Sequence, residues 1–431
     1  MAAMVTRRWL MMAGWAAFGA EARRFGVKGD GKALETAALQ RGIDELAAAG
    51  GGTLVLTGGR YLTGTLELKP QTGLYLDQGA VLVGSAEEKD YAAPEALGYE
   101  PYADRETSLF RYALIRAENA EGISILGPGE IDANRTRRGG PKPVALKNCR
   151  RVTLREFTIR RAPNYAISLL GCEDVVIDGC RIREGYSDGI DPDCSRNVRI
   201  ANCFVESYDD AICLKASLAL GRRAACEQVT VTNCVLSTSS NGFKLGTESS
   251  GDFRDISFSN SVILRKDTMA QRDRGGILIS SVDGSRISQV VVSNVTIRDV
   301  HAPFLVRLGN RGRGMAEPAP GAIEDVQLSN VTCTGSRYPA MVAGLPGHPV
   351  RRFTLSDVSL TVQGGEKAAR RPEEIPENAG AYPETDMFGT PPASALFVRH
   401  ARDLTLRGMR YRVLDADARP EEVFEDVEEA R

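Results

Sequence analysis

A short alternation of apolar and polar residues recurs along most of the chain and defines a structural repeat. Each copy starts with the apolar residue of a V-x-[ILV] pattern and continues with period two. The first steps, from Val152 to Val175 and from Val175 to Val198, are 23 residues long, and later steps are 27 to 36 residues. Loops of varying length inserted at one corner of the unit explain the longer steps. The eight clearest copies begin at Val152, Val175, Val198, Val229, Ile256, Val290, Val326 and Phe353.

Short strands at this period, without helices between them, predict an all-β fold, a single-stranded right-handed parallel β-helix. Outlying copies near Ile123 and Leu404 bring the prediction to about ten rungs. The amphipathic stretch TAALQRGIDELAAAGGGTLVL predicts a helix that caps the open N-terminal end of the stack. We therefore expect residues 23–415 to form one β-helix domain.

Equivalent positions in stacked repeats form ladders. Four residues after the leading apolar residue, successive copies carry an amide that can hydrogen-bond to its neighbours along the axis, at Asn202, Asn233, Asn260, Asn294 and Asn330. Most of the nine cysteines also stand at fixed offsets in the repeat, and no two form a CxxC pair. We interpret them as small buried hydrophobes, with a disulfide between rungs as the alternative.

Composition excludes some classes of function. Apolar residues make up 42% and charged residues 26% of the chain, an ordinary balance for a globular protein. The formal net charge of −2 argues against a general nucleic-acid binder, which is normally basic. Local charge can differ from this sum, so an acidic substrate stays possible.

The first 22 residues have the features of an export signal. The Arg7–Arg8 pair precedes an apolar run that is too short to span a membrane, and an A-x-A-like site follows at 20–22. The arginine pair resembles a twin-arginine signal; a Sec signal or a start codon placed too early are the alternatives. We expect a periplasmic or secreted protein that begins near Arg23 and has no membrane span.

Two later segments fall outside the repeat. Residues 365–393 are rich in Pro, Glu and Gly and are typical of a long loop. Residues 416–431 are acidic, and we expect a solvated tail without a role.

Aspartates cluster at one corner of adjacent repeats. Asp188 and Asp210 stand directly before the later strands of neighbouring units, and Asp209 lies beside them. Close carboxylates cannot all stay ionised, so at least one pKa should rise. An acid that holds a proton beside ionised partners is what glycoside hydrolysis requires. A calcium site or a solvated acidic turn is the alternative for the cluster, and turn hydrogen bonds are the expected role of Asp191 and Asp193.

Polar residues on the same and later rungs are candidates for binding a substrate. Alternation along the strands predicts that Lys215 and Lys244 point outward, with Arg307 and Arg399 in register with Lys215. A face that carries carboxylates and cations suits an acidic sugar, although each cation alone can be a solvated surface residue. The binding candidates are Lys215, Asn241, Lys244, Arg274, His301 and Arg307.

The stretches YSDGID, YDDAICLK and SNGFKLGTES, in this order on a β-helix, resemble a divergent bacterial branch of glycoside hydrolase family 28, the polygalacturonase family. That family carries N-T-D, D-D, G-H-G and R-I-K in turn. The resemblance implies an O-glycosyl hydrolase that inverts configuration, with Asp209 as the general acid and with Asp188 and Asp210 holding the attacking water. We expect an acidic polysaccharide or oligosaccharide as partner, no metal or other cofactor, and a monomer.

The sequence departs from the family pattern at two places. Asn241 stands where the family has the histidine of G-H-G, and R-I-K falls near residues 278–280, which are Leu-Ile-Ser here. Lys244, Arg274 or Arg307 are candidates to replace the missing cations. Two alternatives stay open at this point: a polysaccharide lyase that uses Ca²⁺ on the same scaffold, and a β-helix that binds carbohydrate without catalysis.

Overall fold

The computed structural model describes residues 19–266 and 274–429, and it shows three stacks of parallel strands wound into a β-helix. The predicted fold class is therefore confirmed. Equivalent residues pair directly from rung to rung, as in the series Ile123, Val152, Val175, Val198 and Val229. These side chains fill the interior with one continuous apolar core.

The strands group by stack. The first stack contains Gly19–Glu21, Gly52–Leu56, Thr72–Leu76, Glu121–Leu126, Arg150–Arg155, Glu173–Asp178, Arg196–Ala201 and Cys226–Thr232. The second contains Asp30–Leu34, Gly59–Thr63, Ala80–Gly84, Glu130–Asp132, Thr158–Arg160, Arg181–Gly185, Phe204–Ser207, Val235–Thr238 and Arg410–Asp415. The third contains Leu66–Glu67, Ala113–Glu118, Lys142–Lys147, Ile167–Leu170, Ile190–Asp193, Ile212–Ala216, Phe243–Ser249, Gly275–Ser281, Ala302–Leu308, Ala340–Ala343 and Glu422–Glu429. Long strands join the first two stacks at Phe253–Arg265, Arg286–Arg298, Ala322–Ser336 and Val350–Gly364, and Leu396–Arg407 joins the third to the first.

Each rung contributes three strands, where the sequence pattern indicates two. The V-x-[ILV] unit is itself bent, as between Arg150–Arg155 and Thr158–Arg160, because Glu156 adopts a positive φ of 69°. A bend made by a single left-handed residue needs no Gly or Pro, and asparagine takes this position on most later rungs. Two N-terminal rungs, at Gly52–Leu56 and Thr72–Leu76, extend the stack beyond the copies recognised in the sequence.

The asparagine ladder is confirmed at this bend. Asn294 Nδ2 donates to Asn260 Oδ1 at 3.0 Å, and Asn330 Nδ2 donates to Asn294 Oδ1 at 2.7 Å. All three residues have a φ between 50° and 57°, a conformation that asparagine tolerates better than most residues. The nine cysteines are buried and free, as their interpretation as small apolar residues requires.

The predicted capping helix spans Thr36–Ala48 and closes the N-terminal end of the core. Leu39 and Ile43 are fully buried. At Gly42 the helix lies so close to the first rung that an added Cβ would come within 2.8 Å of Leu54 Cδ1. A second, short α-helix is Arg105–Ser108, and 3-10 turns lie at Ala22–Phe25, Glu88–Asp90 and Pro372–Glu374.

Residues 19–22 belong both to the predicted signal segment and to the described β-helix. Gly19–Glu21 pairs in parallel with residues 53–55, and Ala22 is fully buried. Cleavage after Ala22 would therefore remove the outermost strand of the first stack. The Arg7–Arg8 pair lies outside the described residues. Among those residues, the longest helices are too short and too polar for a membrane crossing.

The acidic C-terminal segment differs from the solvated tail expected for 416–431. Glu422–Glu429 forms a last parallel strand on Leu396–Arg407. Its acidic residues meet basic residues of the rung below, with Glu425 Oε2 3.1 Å from Arg399 Nε and Asp426 Oδ2 2.8 Å from His400 Nδ1. The sequence interpretation was wrong here because the partners of these charges lie on another rung.

The loop at 365–393 folds over the outer face of the third stack. Ile375 and Phe388 are buried against apolar side chains of that stack, including Leu305, Met341 and Phe397. The third stack is therefore covered toward its C-terminal end, and it carries polar residues on the rungs before that point.

Candidate active site

Asp188 and Asp210 lie at the start of neighbouring strands of the third stack. Ile190 pairs in register with Ile212, so the two aspartates occupy equivalent corners of adjacent rungs. A carboxylate oxygen of Asp188, one of Asp210 and the Sγ atom of Cys213 all lie within 4.8 Å of one another. The convergence expected from the repeat is therefore present.

Asp210 is surrounded by hydrogen-bond donors. Its Oδ1 accepts from Ser240 Oγ at 2.9 Å and from Asn241 Nδ2 at 2.7 Å, and its Oδ2 accepts from Lys244 Nζ at 2.7 Å. Burial opposes ionisation of this carboxyl, but the charges of Lys244 and Lys215 outweigh burial and lower the pKa of Asp210. Asp210 is thus an ionised carboxylate with a fixed orientation.

Asp188 shares a lysine with Asp191. Lys215 Nζ lies 3.0 Å from Asp188 Oδ2 and 2.9 Å from Asp191 Oδ2, and all three side chains are buried. Burial, with the negative charge of Asp191 next, raises the pKa of Asp188, and burial raises the pKa of Asp191 to about 6. Asp191 therefore belongs to the charge network of the site, whereas turn hydrogen bonds alone were expected for it.

Asp209 takes part in a different ion pair. Its Oδ2 lies 2.5 Å from Arg138 Nη1, and Arg138 also binds Glu106 through Nε and Nη2. Arg138 follows the second-stack strand Glu130–Asp132, and Glu106 belongs to the helical turn at 105–108. Neither residue stands at a repeat position, so the sequence pattern gave no signal for them.

A pocket of about 270 Å³ opens beside Asp209. Three cations line it, namely Arg138, Lys244 and Arg274. Tyr382 reaches in from the covering loop and accepts a hydrogen bond from Thr247 Oγ1 at 2.7 Å. The other lining residues are Asp104, Asp209, Ser240, Asn241, Pro383 and Glu384.

Of the remaining binding candidates, one lines the pocket and two do not. Arg274 lines it and forms an ion pair with Glu384 at 2.6 Å. His301 lies outside the lining, with Nδ1 2.7 Å from Thr385 Oγ1 and its ring against Tyr338. Arg307 is also outside the lining. It is buried under the loop, where its guanidinium group donates to the backbone carbonyls of 344 and 377.

The expected outward basic row is therefore corrected. Lys215 and Lys244 are buried counter-ions of the aspartates, and Arg307 and Arg399 support the loop above them. Arg307 and Arg399 do share one row, since both pair with Ala343 on the rung between them. Lys215 lies at a shift of register between its strand and the next, so its predicted alignment with this row stays a prediction. The alternation of residues along a strand predicts on which face of the sheet a side chain lies. It does not predict whether a loop covers that face.

The three-residue group of Asp188, Asp210 and Cys213 has donor atoms that can bind a metal at this spacing. Lys215 and Lys244, however, already neutralise the two carboxylates. Burial raises the pKa of the Cys213 thiol, which keeps it protonated and a poor ligand. The local charge balance thus disfavours a cation at this position.

Comparison with known proteins now identifies the family, because residues 119–379 match the model of glycosyl hydrolases family 28. The chain belongs to this family. It is 25% identical over 370 residues to a protein named probable polygalacturonase from Vitis vinifera, covering 78% of this chain and 73% of that one. It is 24% identical over 407 residues to the exo-poly-alpha-D-galacturonosidase of Dickeya chrysanthemi, covering 78% and 66%.

The solved structures agree on the fold. The exopolygalacturonase of Thermotoga maritima superposes with a TM-score of 0.72 at 18% identity, covering 91% of each chain. With the family match, these likenesses establish a polygalacturonase-like O-glycosyl hydrolase of family 28 on a parallel β-helix.

The two departures from the family 28 pattern have structural consequences. Asn241 replaces the family histidine and ties Asp210 to the next rung, because its Oδ1 accepts from the backbone N–H of Gly275 at 3.1 Å. At the R-I-K position, Leu278 is buried under the loop and pairs in register with Lys244. Lys244 lies one rung before Leu278 and reaches Asp210. A cation of the site therefore comes from a different rung than the R-I-K motif of the family.

Proposed function

We propose that this family 28 enzyme is an exported, inverting hydrolase of pectic or related acidic polysaccharides or oligosaccharides. Asp209 donates a proton to the leaving oxygen, Asp188 and Asp210 together hold the attacking water, and the ionised Asp210 accepts the proton of that water. The three aspartates are the catalytic residues of this proposal. Asn241, Lys244 and Arg274 line the substrate pocket, and Lys215 holds Asp188 in place.

The observation that carries the proposal is the difference between the aspartates. Asp188 and Asp210 share one small space, within 4.8 Å, which suits a pair that holds a single water. Asp209 is offset by one residue and lines the open pocket instead. In an inverting enzyme the acid and the base stand on opposite sides of the bond, far enough apart to leave room for the attacking water.

The cations of the pocket support an acidic sugar as substrate, although the acids Asp104, Asp209 and Glu384 line the same pocket. Three cations line a space of about 270 Å³, and Tyr382 presents a partly exposed ring there. Guanidinium and ammonium groups bind carboxylates well, and aromatic faces pack against sugars as apolar surfaces. Each of these cations already has an acidic partner in the protein, so a sugar carboxylate would take the place of one such partner.

The direct test is incubation of the purified enzyme with defined pectic oligosaccharides, followed by mass spectrometry and by NMR of the anomeric proton. The expected result is hydrolysis with the opposite anomer formed first. Retention of configuration contradicts the inverting assignment. An unsaturated, ultraviolet-absorbing product that requires added Ca²⁺ indicates a lyase. An oligosaccharide that binds in calorimetry but gives no product indicates a β-helix that only binds carbohydrate.

Export is tested separately. Replacing Arg7 and Arg8 by lysine should keep the protein in the cytoplasm if the twin-arginine route is used. N-terminal sequencing of the exported protein then locates the cleavage site. A start near Arg23 agrees with the proposal, whereas a start before Gly19 would retain the outermost strand.

A further inference from the structure

Arg138 lies between two pockets of the described surface. It lines the 270 Å³ pocket with Asp209, while Glu106 and the backbone at 139–140 line a neighbouring pocket of about 810 Å³. Arg138 thus stands where the residues that line the two pockets meet. Its side chain is 35% exposed, against 6% for Lys244 and 20% for Arg274.

The other two cations of the pocket have strong partners that belong to the fold. Lys244 is the buried counter-ion of Asp210, and Arg274 is paired with Glu384 on the covering loop. Arg138 is held differently, because Glu106 takes the Nε and Nη2 edge and leaves Nη1 to Asp209. The edge that faces Asp209 is therefore the edge that faces the pocket.

We propose that Arg138 is the specificity-determining cation for a sugar carboxylate, and that this carboxylate displaces Asp209 from Nη1 when substrate binds. Glu106 is a positioning residue that keeps the guanidinium group between the two pockets. The inference rests on the proposed function, since it assigns the substrate carboxylate of that same site.

The exchange has a consequence for the reaction. Arg138 Nη1 occupies Asp209 Oδ2 at 2.5 Å, whereas a general acid needs a carboxyl oxygen that faces the leaving oxygen. A substrate that brings its own carboxylate to Arg138 frees Asp209 for this role. A neutral or esterified sugar leaves the ion pair intact, so it is discriminated against in the chemical step as well as in binding.

The first experiment measures binding without turnover. D-Galacturonate and D-galactose are titrated into the wild type and into the variants Arg138→Ala, Arg138→Lys and Arg137→Ala by calorimetry. Arg137 is the exposed neighbour and serves as the matched control. The wild type should prefer the acid, Arg138→Ala should lower that preference roughly ten- to a hundredfold, Arg138→Lys should lower it less, and Arg137→Ala should not change it.

The second experiment measures kcat/KM on trigalacturonate and on its methyl ester. Arg138→Ala should lose activity on the free acid and bring the two substrates close together. Thermal unfolding of each variant identifies a loss of folding.

A folded Arg138→Ala variant that keeps the wild-type preference overturns the proposal, as does one that loses affinity for acid and neutral sugar equally. A wild type that binds galacturonate but cleaves no oligosaccharide refutes the proposed hydrolase and leaves the binding result to decide on Arg138.

Discussion

Lys244 Nζ lies 2.7 Å from Asp210 Oδ2, and both side chains are almost completely shielded from solvent. A buried charge that loses its partner is costly, whereas the intact pair is close to neutral in its effect on stability. The pair therefore matters for the position and ionisation of Asp210 more than for net stability. This relationship gives the first prediction.

Lys244→Met should lower the free energy of unfolding by about 3–5 kcal/mol, because Asp210 is left without its main counter-ion. It should also lower kcat, since without this lysine the Asp210 carboxylate is less well fixed in position and therefore binds the attacking water less well. Denaturant unfolding and steady-state kinetics measure the two effects. The same substitution at the exposed Lys32 is the control, and an effect confined to KM would assign Lys244 to substrate binding alone.

Asp191 gives a prediction about pH. Its pKa of about 6 in the folded protein lies above the value of about 3.9 expected in the unfolded chain. The folded state therefore binds this proton more tightly, so the contribution to stability is complete below about pH 3.9 and is lost as the pH rises through about 6. Asp191→Asn should flatten the stability curve between these values.

Thermal unfolding of the wild type and of Asp191→Asn across this range measures the effect. Asp174→Asn is the control and should leave the slope unchanged, because Asp174 lies in the first-stack strand Glu173–Asp178 with a side chain that is 41% exposed. If the slope of stability against pH is the same in all three proteins, Asp191 does not titrate in this range, and its assignment to the charge network of Lys215 is contradicted.

The three aspartates should respond differently to the leaving group. Asp209→Asn should lose about 10²–10⁴-fold in kcat on a natural glycoside and far less on a substrate with an activated aryl leaving group, which needs little protonation. Asp188→Asn and Asp210→Asn should be impaired on both substrates, because water must still be activated. Equal damage by Asp209→Asn on both would mean that the acid is misassigned, and full activity in any variant would refute the hydrolase mechanism.

Most of the cysteines should be inert in the folded protein. All nine are buried, and burial raises the pKa of Cys180 and Cys333 to about 12, which keeps these thiols protonated. Mass spectrometry after thiol blocking should show slow labelling in native buffer and complete labelling in denaturant. Rapid native labelling of more than two or three cysteines would contradict the packing described for them.

The sequence by itself determined the features that repeat. Alternation and spacing predict the β-helix, the asparagine ladder and the meeting of Asp188 with Asp210, because a change of one rung in space is a change of one repeat in sequence. The same regularity correctly places Arg307 and Arg399 in one row. A periodic fold converts sequence period into distance, so these relationships need no knowledge of the loops.

Only the tertiary structure decided the features that come from outside the repeat. Arg138 is 71 residues from Asp209 in sequence, and the loop carbonyl that covers Arg307 is 70 residues away. The acidic strand Glu422–Glu429 likewise pairs with charges on a preceding rung. Loop contacts depend on where a flexible connection comes to lie on the finished stack, and charge pairs depend on which side chains are then shielded together. Neither the loop contacts nor the charge pairs repeat from rung to rung, so the local sequence pattern does not predict them.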